Sequence, residues 1–179
     1  MLTTQNTFVL LIDVQERLMA HIHRVEEFNK NLVNFLKGVR ILEVPFILTE
    51  HVPEKLGKTT SPILEIMPET IPIVKNTFSC WGNRDFKKSV KKLGRKKILV
   101  AGVETHVCVY QTVADLVQAG FEVQVVSDCV SSRTLDNKNI GLERIKHVGA
   151  SVTSVETALC ELLKIAQGEK FKKIIQLIK

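Results

Sequence analysis

The stretch KILVAGVETHVCVYQTVADLVQAGFEVQVVSDCVSSR, Lys97 to Arg133, confines the chain to very few architectures. Its apolar run Ile98 to Ala101 reads as a buried strand, breaks at Gly102, and gives way from about Val107 to a helix ending near Gly120. Phe121 to Val126 follows as another strand. Strand, helix, strand is a crossover unit, and parallel neighbours joined this way need the helix packed on a sheet face. Cys108 falls at the strand-to-helix turn. Unpaired N–H groups at a helix start carry partial positive charge and ease the loss of a thiol proton, which would make Cys108 a nucleophile. Free cysteine is equally a small apolar core residue, so both readings stand at this point. Thr105, just upstream, is of a type that caps such a helix.

The rest of the chain repeats the alternation. Thr7 to Ile12 is apolar throughout and ends in Asp13, the pattern of a central strand covered on both faces. From Val25 to Leu42 the apolar residues Phe28, Leu32, Phe35, Leu36 and Val39 recur at helical spacing. Phe46 to Leu48 is a second strand. Pro53, Gly57, Pro62, Pro68 and Pro72 then mark loop, with one helical turn near Ile63 to Met67. Ile71 to Val74 is a third strand that delivers Lys75, and Trp81 to Leu93 is a basic helix. After the central unit come a helix over Asn137 to His147, a sixth strand over Ser151 to Ser154, and helices over Glu156 to Ala166 and Phe171 to Ile178. The pattern predicts a three-layer α/β fold, a doubly wound six-stranded parallel sheet of order 3-2-1-4-5-6 with helices on both faces. Strands one and four then flank the switch point, where ligands bind beyond the carboxyl ends. Asp13 and Cys108 both belong to that edge.

With 179 residues the chain fits a single domain, 1–179, and its 45% hydrophobic and 25% charged residues are those of an ordinary globular protein. No apolar run approaches the roughly 20 residues that cross a bilayer. The opening MLTTQNTFVLLID lacks the features of a signal peptide, so a cytoplasmic or organellar location with reduced thiols is expected for the four cysteines. Cys80, Cys129 and Cys160 are expected to be buried packing residues, although Cys80 lies close to Lys75 in sequence and could contact the pocket, and Arg133, following Asp128, is expected to form an anchoring ion pair. The net charge of +6 is concentrated in Lys87 to Lys97, where aromatic residues are almost absent, so a solvated helix face is favoured over nucleic-acid binding. His21 and His23 are read as a solvent-facing pair, and His51 stands alone, so neither a metal nor another cofactor is expected.

GVETHVCV, with Asp13 in FVLLIDVQ and Lys75 in IVKNTFSCW, resembles the isochorismatase-like cysteine hydrolase superfamily over nearly the whole chain. EHVPEKLG, QTVADL, SDCVSSR and FKKIIQLIK are most similar to its small isochorismatase domain-containing branch. The resemblance implies a catalytic Asp13, Lys75 and Cys108, an oxyanion hole made by the backbone N–H groups of Glu104 and Cys108, and a cis peptide between Val103 and Glu104. It also implies self-association into a homo-oligomer. Gln15, Phe78, Trp81, Glu104 and Val107 stand beside the three motifs and are the expected walls of a substrate pocket, although each could instead be a core or interface residue. The implied activity is a cofactor-independent cysteine hydrolase cleaving a small C–N bond, in an amide, ureide or carbamoyl compound, through a Cys108 thioester. The alternative is a binding or interaction protein of the same fold, contacting RNA through its basic face.

Overall fold

A computed structural model describes residues 1–179. In chain order the elements are β1 (Thr7–Ile12), α1 (Glu16–Met19), α2 (Val25–Ile41), β2 (Phe46–His51), α3 (Pro53–Leu56), α4 (Ser61–Ile66), β3 (Ile73–Lys75), α5 (Arg84–Leu93), β4 (Lys97–Val103), α6 (Tyr110–Gln118), β5 (Glu122–Ser131), α7 (Leu135–His147), β6 (Ser151–Thr153), α8 (Val155–Leu163) and α9 (Gly168–Ile178). The six strands form one parallel sheet in the order β3-β2-β1-β4-β5-β6. That is the expected doubly wound arrangement, with helices on both faces.

Every residue of β1 is buried, because its side chains alternate between two cores. Val9 and Leu11 join Phe28, Leu32, Phe35, Leu36 and Val39 of α2 and the inner faces of α8 and α9. Phe8, Leu10 and Ile12 meet Phe86 and Val90 of α5, Val113 and Leu116 of α6, and Ile145 of α7. Burying a side chain of this size contributes roughly 1.5–3 kcal/mol, so α2 alone supplies several such increments to one layer. α9 docks on the body through the fully buried Ile174.

β1 and β4 approach closely because of Gly102. It has φ +120°, and a Cβ there would lie 2.1 Å from the Ile12 carbonyl oxygen. Only glycine fits this backbone and this gap, so the switch point is built around it.

Several boundaries differ from the expected ones. β5 runs to Ser131 rather than Val126, its register shifting against β4 between Val100 and Gly102, so that Ser127 and Asp128 are carried inside a strand. β3 begins at Ile73, and Ile71 is left exposed. Cys80–Gly82 form a separate 3-10 turn, and α5 starts after Asn83, whose Oδ1 accepts from the N–H groups of Asp85 (2.9 Å) and Phe86 (3.0 Å). Cys160 is exposed, while Cys80 and Cys129 are buried. No helix is long and apolar enough to cross a membrane.

Candidate active site

Asp13 is the first residue past β1, with φ 54°, and is fully buried. Its Oδ2 accepts from Lys75 Nζ at 2.6 Å, and its Oδ1 accepts from the Thr49 hydroxyl at 2.8 Å. Lys75 ends the edge strand β3, where the pairing of His51 with Lys75 sets it across β2 from Asp13. Its ammonium also donates to the carbonyls of Thr77 (3.1 Å) and Phe78 (3.2 Å), which uses all three of its protons. Both side chains of the pair have no exposure to solvent. Burial alone would pull the Lys75 ammonium down. The charges of Asp13, Cys80 and Cys108, and the hydrogen bond to Asp13, outweigh that and hold it above its ordinary range.

Cys108 sits in a π-helical turn, Thr105–Val109, that leads into α6, rather than at the start of a regular helix. Thr105 does not cap it: the turn has no side-chain cap, and the Thr105 hydroxyl is buried without a partner. The turn is seated by α7, which comes so close at Gly141 that a Cβ there would lie 2.7 Å from Thr105 C and 2.8 Å from His106 N. The Val103–Glu104 peptide is cis, as the resemblance implied. The Glu104 N–H makes no hydrogen bond within the protein.

The thiol differs from the sequence-based expectation. Burial pushes the Cys108 thiol well above its usual value, the Asp13 charge and its hydrogen bond with the thiol push the same way, and Lys75 opposes them only in part. Cys108 therefore rests as a thiol. It is 7% exposed. A cavity of about 820 Å³ lies along Phe46–Leu48 and Ile71, at the amino ends of β2 and β3, and one of about 250 Å³ lies between α2, β5 and α7. Neither is lined by Cys108.

The pocket residues divide. Phe78 is half-exposed beside Lys75, its ring 5.7 Å from that of His51, and Val107 is half-buried next to Cys108. Gln15 is fully occupied elsewhere. Its amide donates to the carbonyls of His51 (3.1 Å) and Gly57 (2.7 Å) and accepts from the His51 N–H (2.7 Å), pinning the loop after β2. Trp81 packs edge-on against Phe86 and Phe121, towards the amino end of β5. The Glu104 carboxylate is engaged by Arg133, through the backbone N–H at 3.0 Å and Nε at 3.1 Å. Arg133 thus pairs with Glu104 and not with Asp128, which instead accepts from the Val155 N–H at the start of α8. His51 has a buried, unpartnered Nδ1, and burial together with the Lys75 charge holds its imidazole below its usual value. Thr49 was missed, whereas Cys80, which the sequence set close to Lys75, does lie against the site. Cys80 Sγ lies 3.8 Å from the Thr49 hydroxyl, and burial pushes this thiol up to about 11.

A doubly wound α/β domain with a buried acid, lysine and thiol at its switch point defines a narrow class. Residues 7–157 match the isochorismatase domain, and the chain belongs to the isochorismatase family and has its hydrolase fold. The secreted isochorismatase effector Isc1 of Phytophthora sojae is 35% identical over 99% of this chain and 87% of its own length. Among solved structures, the MAR1 ribonuclease of Caenorhabditis elegans superposes with a TM-score of 0.92 at 30% identity, covering 99% of this chain and 91% of that one. YcaC of Pseudomonas aeruginosa, solved with hexane-2,5-diol and covalent acrylamide, gives 0.93 at 27% identity over 98% and 90% of the two chains. The Escherichia coli YcaC, described as an octameric hydrolase of unknown specificity, gives 0.93 at 25% identity over 99% and 88%.

Proposed function

We propose that the protein is a cofactor-independent cysteine hydrolase of small amide, ureide or carbamoyl compounds. The observation that carries this reading is the meeting of Asp13, Lys75 and Cys108, far apart in sequence, in one buried cluster in which Lys75 donates to Asp13 and both charges act on the thiol. Asp13 takes the Cys108 proton as sulfur attacks the carbonyl carbon, and returns it to the departing nitrogen as the C–N bond breaks. Lys75 holds Asp13 in place and balances its charge; with its three protons already committed, it does not donate to substrate. The N–H groups of Glu104 and Cys108 receive the oxyanion, a role in which one donor is worth about 3 kcal/mol of barrier. Water activated by Asp13 then cleaves the thioester and restores the thiol. Phe78 and Val107 form the rim of the substrate entrance. The covalent acrylamide on the Pseudomonas relative supports a nucleophile that accepts small amides.

Ammonia release from a panel of small amides, ureas and carbamoyl compounds tests the proposal, with Cys108→Ser as control. Turnover of at least one compound by the wild type and by none in the variant is expected. Equal release by both overturns it.

A second reading, RNA binding, is favoured by one observation on α5: Lys87 lies 5.3 Å from the Trp81 ring and Lys96 5.5 Å from that of Phe121, aromatic contacts that spacing alone did not reveal. The name of the nematode relative points the same way. Salt-dependent RNA binding that survives Cys108→Ser and is lost in Lys87→Glu would favour it. We further propose a homo-oligomer in the cytoplasm. The octameric relative and the exposed Val74 and Phe78 support the assembly, which light scattering tests, and the four free thiols support a reducing compartment.

A further inference from the structure

We infer that Thr49, oriented by Cys80, is a positioning residue that fixes the Asp13 carboxylate for proton exchange with Cys108. The inference rests on the cysteine-hydrolase reading above. Thr49 is fully buried on β2 and pairs in register with Ile12, the residue before Asp13. A hydroxyl has one proton to give. Here the Cys80 thiol, 3.8 Å away, donates to the Thr49 oxygen, so the Thr49 proton is committed to Asp13 Oδ1 at 2.8 Å. Cys80 is itself held in place, since its N–H donates to the Thr112 hydroxyl at 2.9 Å. Thr112 belongs to α6, the helix that follows the Cys108 turn. A continuous chain therefore runs from the nucleophile's helix through Thr112, Cys80 and Thr49 to the acid.

Its effect follows from which oxygens are taken. Lys75 holds Oδ2 and Thr49 holds Oδ1, so the carboxylate is gripped at both oxygens and its plane is fixed. A donor to an ionised carboxylate also favours that form over the neutral acid. The ionisable groups around Asp13 are Lys75 from β3, His51 from β2, Cys80 from the 3-10 turn and Cys108 from the π-helical turn. Thr49 donates to Oδ1, and Cys80 acts on that oxygen through Thr49.

The test measures the rate at which iodoacetamide alkylates Cys108, read by peptide mass spectrometry, as a function of pH. In Thr49→Val the acid limb of this profile moves upward by about one pH unit, the size expected for losing a hydrogen bond to a charged group. Thr49→Ser, which keeps the hydroxyl, restores the wild-type midpoint. Cys80→Ala keeps the hydroxyl but removes the thiol that orients it, and gives a smaller shift in the same direction. A merely structural role would lower the rate at every pH and leave the midpoint in place. A wild-type midpoint in Thr49→Val, with an unchanged circular dichroism spectrum, overturns the inference. Should Thr49→Val not fold, a wild-type midpoint in Cys80→Ala overturns it. Asp13→Asn separates the two levels: if it leaves Cys108 alkylation unchanged, the hydrolase reading itself falls.

Discussion

Replacing Lys75 by Met keeps the length of the side chain and removes its charge. The Lys75 and Asp13 side chains have no exposure, so the variant leaves a carboxylate in the core with only the Thr49 hydroxyl as a strong donor. Breaking a buried pair from one side costs about 3–5 kcal/mol, against a total stability on the order of 5–15 kcal/mol. For a domain of this size each kcal/mol moves the melting temperature by roughly 2–4 °C, so a fall of about 6–20 °C is expected in thermal unfolding. Asp13→Asn combined with Lys75→Met removes both charges and regains a large part of the loss, because what harms the single variant is the unpaired charge. The pH dependence has a defined sign. The folded protein holds the Lys75 proton more tightly than the unfolded chain, whose lysines titrate near 10.4. The contribution of Lys75 is then complete below that pH and is lost as pH rises through the higher folded value. The stability gap between wild type and variant is therefore constant across neutral pH and narrows only in strong alkali. A gap below about 1 kcal/mol, a double variant no better than Lys75→Met, or a gap already closing in mild alkali would refute the reasoning.

Gly102→Ala is expected to destabilise by far more than the roughly 1 kcal/mol of an ordinary glycine replacement, since its Cβ would lie 2.1 Å from the Ile12 oxygen; urea unfolding and soluble yield measure this, and a near-native midpoint would contradict the β1–β4 approach. Gly141→Ala pushes the backbone of Thr105 and His106, and a displacement of about 1 Å can lower a reaction rate on the order of a hundredfold, so ammonia release should fall further than stability does. In the native protein a bulky maleimide is expected to label the exposed Cys160 first and to reach Cys80 and Cys129 only on unfolding, as read by peptide mapping.

Much of the fold was legible because apolar runs that end in a marked residue are strong signals. Thr7–Ile12 closing on Asp13, and Ile98–Ala101 closing on Gly102, gave the two central strands and hence the switch point. The far end of β5 was not legible, since Ser127 and Asp128 look like loop until the register shift against β4 is known. Thr49 escaped for a similar reason. Its contact with Asp13 depends on how β1 and β2 align, which leaves no mark in residue spacing, whereas the closeness of Cys80 to Lys75 in sequence did point to the site. Arg133 was matched to the nearer acid in sequence, whereas in the fold it meets Glu104 just past β4. The protonation of Cys108 also lay beyond spacing. A helix start and a lysine argue for a thiolate, but burial and an adjacent carboxylate prevail in the assembled site.

The most direct measurement of the central claim is intact-protein and peptide mass spectrometry after incubation with acrylamide, a small amide that is also an electrophile for thiols. The account predicts an adduct on Cys108, beside any on the exposed Cys160, that is absent in Cys108→Ser and forms at least tenfold more slowly in Asp13→Asn, a factor within the usual range of general-base assistance. Adduct confined to the exposed Cys160, or Cys108 labelling that is indifferent to Asp13, would contradict it.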